Sequence, residues 1–276
     1  MQMGKPARKD YTIPFKTSEE ETLKWRNELT ASLRYASKIQ NALFPSAKDF
    51  QKIFPDSFVL FMPRDIVSGD FYWITKRKNK IVVAAADCTG HGVPGAFLSL
   101  LGITFLKEIT HKDPMPSAAK ILNLLRENVM KALQQTNEDE PSEGMDMALY
   151  VVDENNLQLQ YAGAVNPMYM VRDNSITIYK GDRMPIGMCP DEEHSFTNKT
   201  VQLEQGDCVY IFSDGFPDQF GGLNEEKYKY YRFRELLLKV QPHPMQKQQE
   251  LIKKAFLKWK GDMKQVDDVM VIGVRF

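Results

Sequence analysis

Leu29, Leu33, Ala36, Ile39 and Leu43 recur at spacings of four, three, three and four, which marks one face of a helix. Thr17 or Ser18 can cap its start, with Glu20 or Glu21 three residues on as in a capping box, and Pro45 stops it. Beyond Pro45 the helical period gives way to short apolar runs. Ser57 to Met62, Asp70 to Ile74 and Ile81 to Ala86 read as strands, the last rich in Val and Ala as a buried strand is. Pro94 suits the first turn of a second helix, where a missing N–H is harmless, with Phe97, Leu100, Leu101, Thr104 and Phe105 as its apolar face. A third helix is expected from Ser117 to Gln134, with Ile121, Leu124, Leu125, Val129 and Leu133 inward, followed by an acidic loop from Thr136 to Gly144.

Strands return at Met147 to Val152, Leu157 to Tyr161, Pro167 to Val171, Ser175 to Tyr179 and Cys208 to Phe212, with turn residues at 153–156 and 172–174. Helices from Tyr230 to Val240 and Met245 to Trp259 precede a last strand, Val269 to Phe276. Strands and helices come in blocks rather than in βαβ alternation, which predicts an α+β fold of antiparallel sheets with helices outside. The chain divides into a basic segment over 1–17, a helix over 18–45 and one domain over 46–276. The helix either packs on its own domain or serves as a linker and dimerisation helix through residues 18–43; the two are compatible.

With 276 residues, 43% of them apolar, the chain can build a sizeable core. Lys+Arg and Asp+Glu both total 36, so the formal net charge is zero, against the basic excess of a nucleic-acid binder. Three cysteines, Cys88, Cys189 and Cys208, without a C-x-x-C pair, read as a reduced intracellular protein. No apolar run reaches the roughly 18–20 residues that span a bilayer, and Met1 to Tyr11 holds no apolar h-region. The expectation is a cytoplasmic chain without a membrane segment.

Four distant segments each place aspartate beside glycine or at the end of an apolar strand: Ser68-Gly69-Asp70, Asp87-Cys88-Thr89-Gly90-His91-Gly92, Ser213-Asp214-Gly215 and Asp267-Asp268-Val269. Carboxylates delivered by separate strands to one point suit hard cations such as Mg²⁺ and Mn²⁺, which take oxygen ligands. His91 has the pKa range of a general acid, but a histidine between glycines is more often a loop residue. Other phosphate chemistry finds no support. No cysteine is followed six positions later by arginine, and there is no P-loop, kinase signature set, G-x-S-x-G elbow or Cys/His cluster.

The runs "SGDFYW" from Ser68, "ADCTGHGVPGAF" from Ala86, "YAGAVNP" from Tyr161, "MPIG" from Met184, "FSDGFPDQFGG" from Phe212 and "DDVMVIGV" from Asp267 resemble, in order, the metal-dependent protein phosphatase (PPM, type 2C-like) superfamily, and within it the SpoIIE-type bacterial serine phosphatases. The resemblance covers residues 46 to 276, and the preceding "LRYASKIQNALFP" resembles the helix that joins such domains to an upstream sensor. It implies a four-layer αββα sandwich of two antiparallel sheets flanked by helices. It implies two Mn²⁺ or Mg²⁺ ions between the sheets, and hydrolysis of a phosphoserine or phosphothreonine protein, often a STAS-type anti-sigma antagonist, by direct attack of a metal-bridging water.

Carried over by position, Asp87 bridges the metals and the Cys88 carbonyl adds a ligand. Asp70 acts directly or through water, and Asp214 and Asp267 hold the metals from the other sheet, with Asp268 ranked second. Asn166 and Asp146 could touch substrate or a further metal, and Arg64 is a candidate phosphate ligand. Type-2C members of eukaryotes carry Gly and then His after the bridging Asp; here Cys88 and Thr89 stand there, so His91 does not inherit the general-acid role by position. The rival readings are a catalytically degenerate fold that binds a signalling partner and, disfavoured by neutral charge, another two-metal phosphoesterase such as a nuclease.

Overall fold

A computed structural model describes residues 19–135, 143–189 and 195–276. The segment 1–17, the capping box expected at Thr17 or Ser18 and most of the acidic loop after Thr136 lie outside the described residues. Helix α1 (Glu19–Leu43) ends just before Pro45, as the sequence predicts. Its apolar stripe is not covered by the domain: Leu29, Ile39 and Leu43 are exposed, with Trp25 and Tyr35 beside them. Only Gln40 of this helix is buried. Ser46 then caps a short helix, α2 (Ala47–Ile53), in a capping box with Asp49. Seven residues are too few for a period to show in the sequence, and this helix was not expected.

Strands β1 (Ser57–Met62), β2 (Phe71–Arg77) and β3 (Lys80–Cys88) follow, then helices α3 (Gly92–Thr110) and α4 (Ala118–Ala132), the latter capped by Ser117. Next come β4 (Met145–Asp153), β5 (Gln158–Ala164), β6 (Met168–Arg172), β7 (Ser175–Tyr179), β8 (Lys199–Gln202) and β9 (Cys208–Phe212). A single turn, α5 (Gly215–Asp218), leads to a hairpin of β10 (Phe220–Gly221) and β11 (Glu226–Lys227). Helices α6 (Tyr230–Val240) and α7 (Met245–Lys260) and strand β12 (Val269–Arg275) complete the order.

Two five-stranded antiparallel sheets result, β1-β12-β9-β6-β7 and β2-β3-β4-β5-β8. Strand alternation sorts the residues into three apolar layers. In β9, Val209 and Ile211 join Ile81, Val83, Ala85, Ala148 and Tyr150 between the sheets. Cys208, Tyr210 and Phe212 face α6 and α7, while Val82, Ala84 and Ala86 of β3 face α3 and α4. The architecture is therefore the four-layer αββα sandwich that the resemblance implies.

Helix α3 differs from expectation in its buried face. Leu98, Ser99, Gly102, Ile103, Leu106 and Ile109 are buried, whereas Phe97 and Thr104 are exposed. The helix is apolar on several sides, so periodicity alone picks the wrong stripe, and small residues decide the approach to the sheet. A Cβ on Gly102 would stand 2.7 Å from the Phe71 ring. Length and composition would also allow α3 to cross a membrane, against the expectation that no such run exists. Here its apolar residues pack on β2 and β3 instead.

Candidate active site

The strand period that builds the core also aims the carboxylates. Ile81, Val83 and Ala85 face the gap between the sheets, so Asp87, two residues on, falls in the same row. By the same parity Asp146 continues the row of Ala148 and Tyr150, Asp70 that of Tyr72 and Ile74, and Asp268 that of Met270 and Ile272. Asp87 and Asp146 are direct register partners across β3 and β4, an unfavourable like-charge pairing. Asp214 and Asp267 arrive from the strand ends of the other sheet.

Asp87, Asp146, Asp214 and Asp267 line one cavity of about 220 Å³, together with Cys88, Thr89, Gly90 and His91. Burial pushes the carboxyl of Asp87 well above the usual carboxylate range, and Asp70, Asp214, Asp267 and Asp146 push it further. Burial and Asp267 raise Asp214, which Asp87 partly offsets by sharing a hydrogen bond with it. Asp146 is raised to about 6 by burial and then by Asp214. Asp267 is also raised by burial, and His91 and Arg64 are among the groups that pull it back. Crowded, desolvated carboxylates of this kind are relieved by protons or by cations.

Asp70 lies deeper, 1% exposed, with its Oδ2 lacking a hydrogen-bond partner. Burial raises its pKa strongly against a hydrogen bond from Ser213. Asp268 is equally buried but occupied. Its Oδ1 accepts from the Arg64 amide (2.7 Å) and its Oδ2 from the amides of Gly69 (2.8 Å) and Asp70 (3.3 Å). It therefore clamps the Ser68–Asp70 segment and does not line the cavity. Gly69 and Gly95 let this segment lie against the Gly90 carbonyl, since a Cβ on either would approach that oxygen to 2.7 and 2.4 Å.

His91 is exposed at the rim, its Nδ1 3.1 Å from Asp65 Oδ2. Asp65 was not singled out in the sequence, having no motif around it. Arg64 is fixed by Nη1 to the Val266 carbonyl (2.9 Å) and does not line the cavity. Asn166 is not brought to the site either. It is buried in the turn before β6, where its carbonyl accepts from the Tyr161 hydroxyl (2.6 Å), and its Nδ2 has no hydrogen-bond partner.

The lining offers oxygen donors from four carboxylates, while the Cys88 thiol belongs to the other row of β3, packed with the α3 and α4 layer, where burial pushes its pKa up. That set, with the orphaned Asp70 oxygen, fits hard divalent cations better than zinc. Among the described residues no three such side chains already close into a compact metal cluster; the carboxylates surround a space. A larger cavity of about 780 Å³, lined by Leu223, Tyr228 and Trp259, sets its two acidic residues, Glu225 and Asp262, beside Lys258 and Lys260 and gathers no set of four carboxylates, so size does not locate the chemistry.

A family model described as Stage II sporulation protein E (SpoIIE) matches residues 77–276. Phosphoserine phosphatase RsbU of Bacillus subtilis (strain 168) is 26% identical over 201 residues, 71% of this chain and 57% of RsbU, so the chain spans little more than half the length of that relative. The SiaA-PP2C domain of Pseudomonas aeruginosa superimposes with a TM-score of 0.83 at 29% identity, over 91% of this chain and 98% of that one. The PP2C phosphatase domain of SpoIIE from Bacillus subtilis, solved with a fragment of its regulatory domain, gives 0.65 at 18% identity, over 80% of this chain and 63% of that one, which is a likeness of fold.

Proposed function

The chain belongs to the SpoIIE family, and on that premise we propose that it is a metal-dependent phosphatase acting on phosphoserine or phosphothreonine of a partner protein. The observation that carries this reading is the convergence of Asp87, Asp146, Asp214 and Asp267 on one cavity from both sheets. The phosphoserine activity named for RsbU supports the substrate class. Asp87, the Cys88 carbonyl, Asp214 and Asp267 would hold two Mn²⁺ or Mg²⁺ ions, with Asp70 behind them. Such ions, when bound, supply water activation and neutralise phosphate charge. Asp268 acts one step back, holding the Gly69 and Asp70 amides in place.

His91, oriented by Asp65, brings positive charge to the mouth when protonated and can guide the phosphate dianion or protonate the seryl oxygen. A STAS-type antagonist is the partner class proposed, the Asp cavity accepting a phosphoserine presented on an exposed segment. The uncovered stripe of Leu29, Ile39 and Leu43 on α1 supports pairing of two chains through this helix, or contact with an upstream sensor.

The test is hydrolysis of an aryl phosphate and of a phosphoserine protein with Mn²⁺, with Mg²⁺ and with chelator. Metal-dependent turnover of both supports the proposal. Metal binding without turnover of either substrate would favour a phosphatase fold that only binds its partner.

A further inference from the structure

Gln219 follows the single turn of α5 and is completely buried. Its side chain reaches a distant part of the chain. Nε2 donates to the carbonyls of Phe220 (2.9 Å) and Lys264 (3.0 Å), and Oε1 accepts from the Val266 amide (3.2 Å). Its own carbonyl accepts from the Tyr228 amide (2.9 Å) and from the indole N–H of Trp259 (3.0 Å). Both side-chain donors and the side-chain acceptor are thus in use, in a place without access to water.

The two segments joined this way each carry one of the cavity carboxylates. Asp214 caps the turn that ends at Asp218, and Asp267 follows Val266 directly. Residues 261–268 form no helix or strand, so no ladder fixes Asp267. Side chains fix it instead: Gln219 from one side, Gln265 through Met62 (2.7 Å) and Asp267 (2.8 Å) carbonyls, and Arg64 through the Val266 carbonyl (2.9 Å). Gly215 presses on the same loop, since a Cβ there would lie 1.9 Å from the Asp268 carbonyl.

We infer that Gln219 is a positioning residue that sets the spacing between Asp214 and Asp267, and through it the affinity of the site for its cation. The inference rests on the metal-site reading above. Groups that orient ligands without touching a metal typically change affinity 10–100-fold when removed.

The molecule supplies its own control. Gln248 is also completely buried, accepting from the Tyr210 hydroxyl (2.6 Å) and donating to the Gln241 (3.1 Å) and His243 (2.8 Å) carbonyls. None of its partners adjoins a cavity carboxylate. The experiment compares Gln219→Leu with Gln248→Leu by calorimetric Mn²⁺ titration, by thermal unfolding in chelator, and by the Mn²⁺ concentration for half-maximal aryl phosphate hydrolysis.

Both variants should lower the unfolding temperature in chelator. Only Gln219→Leu should weaken Mn²⁺ binding, by about 10–100-fold, with kcat at saturating Mn²⁺ kept within a few-fold. Gln219→Asn, too short to span the same groups, should repeat the metal shift at a smaller loss of stability and serves if the leucine variant does not fold. Mn²⁺ affinity unchanged in the Gln219 variants, or weakened equally by Gln248→Leu, overturns the inference while leaving the site reading intact. A wild-type chain that binds no Mn²⁺ overturns the site reading and the inference with it.

Discussion

The strands that bracket the gap between the sheets carry two opposite environments a few residues apart. In their middle, Ile81, Val83, Ala85, Tyr150 and Ile211 form a dry apolar layer. At the end of the same rows, Asp87 and Asp146 face each other in register, with Asp214 and Asp267 opposite. The middle maximises burial of apolar surface; the end concentrates like charge where burial already penalises it. A sheet stable along its length can carry a destabilised rim, and the rim is where a cation would be gained. The difference teaches that stability and function are separable along one strand.

The largest expected effect breaks the rim. Asp214→Asn should reduce metal-dependent hydrolysis by more than about a hundredfold, beyond the range for groups that do not touch the metal. Its fold should persist, which circular dichroism would check. Ile211→Ala attacks the middle instead. It should destabilise by about 2–5 kcal/mol in denaturant unfolding, while kcat per folded molecule stays near wild type. A variant of the middle that lost kcat without losing stability would break the separation.

A smaller effect is pH dependence in chelator. Asp146 titrates from 3.8 when unfolded to about 6 when folded, so the folded chain holds a proton that the unfolded one has released. Stability from this group is present on the acid side and is lost as pH rises through that window. Thermal unfolding of wild type against Asp146→Asn should show the variant gaining between about pH 4 and pH 6. Equal slopes for the two would contradict the raised pKa. The smallest effect concerns α1. Leu29→Glu, at an exposed position, should change stability by no more than about 0.5 kcal/mol while abolishing any pairing through this helix, as read by sedimentation. Pairing that survives it would place the contact elsewhere.

Much of this was legible in the sequence because the strands are short, apolar and bounded by turn residues. The bounds of β1, β9 and α6 coincide with the sequence reading. Helix α2, strand β8, the single turn α5 and the β10–β11 hairpin were missed, each too short to express a period. The aspartates were visible through the glycines and strand ends around them. What they do individually was not: Asp267 and Asp268 are neighbours, yet one lines the cavity and the other binds three backbone amides. Parity with Met270 and Ile272 places Asp268 toward the inter-sheet side, but only the fold shows that amides occupy it. Gln219 and Asp65 have no local pattern, because their partners lie 45 and 26 residues away in sequence.

The most direct measurement is thermal unfolding of wild type and Asp87→Asn, each in chelator and in excess Mn²⁺. Asp87 is buried among like charges, so the variant should unfold at a higher temperature than wild type in chelator. In Mn²⁺ the order should reverse, with wild type stabilised by ligand binding and the variant scarcely moved. Wild type that gains nothing from Mn²⁺, or a variant that gains as much, would contradict a cation site built on Asp87.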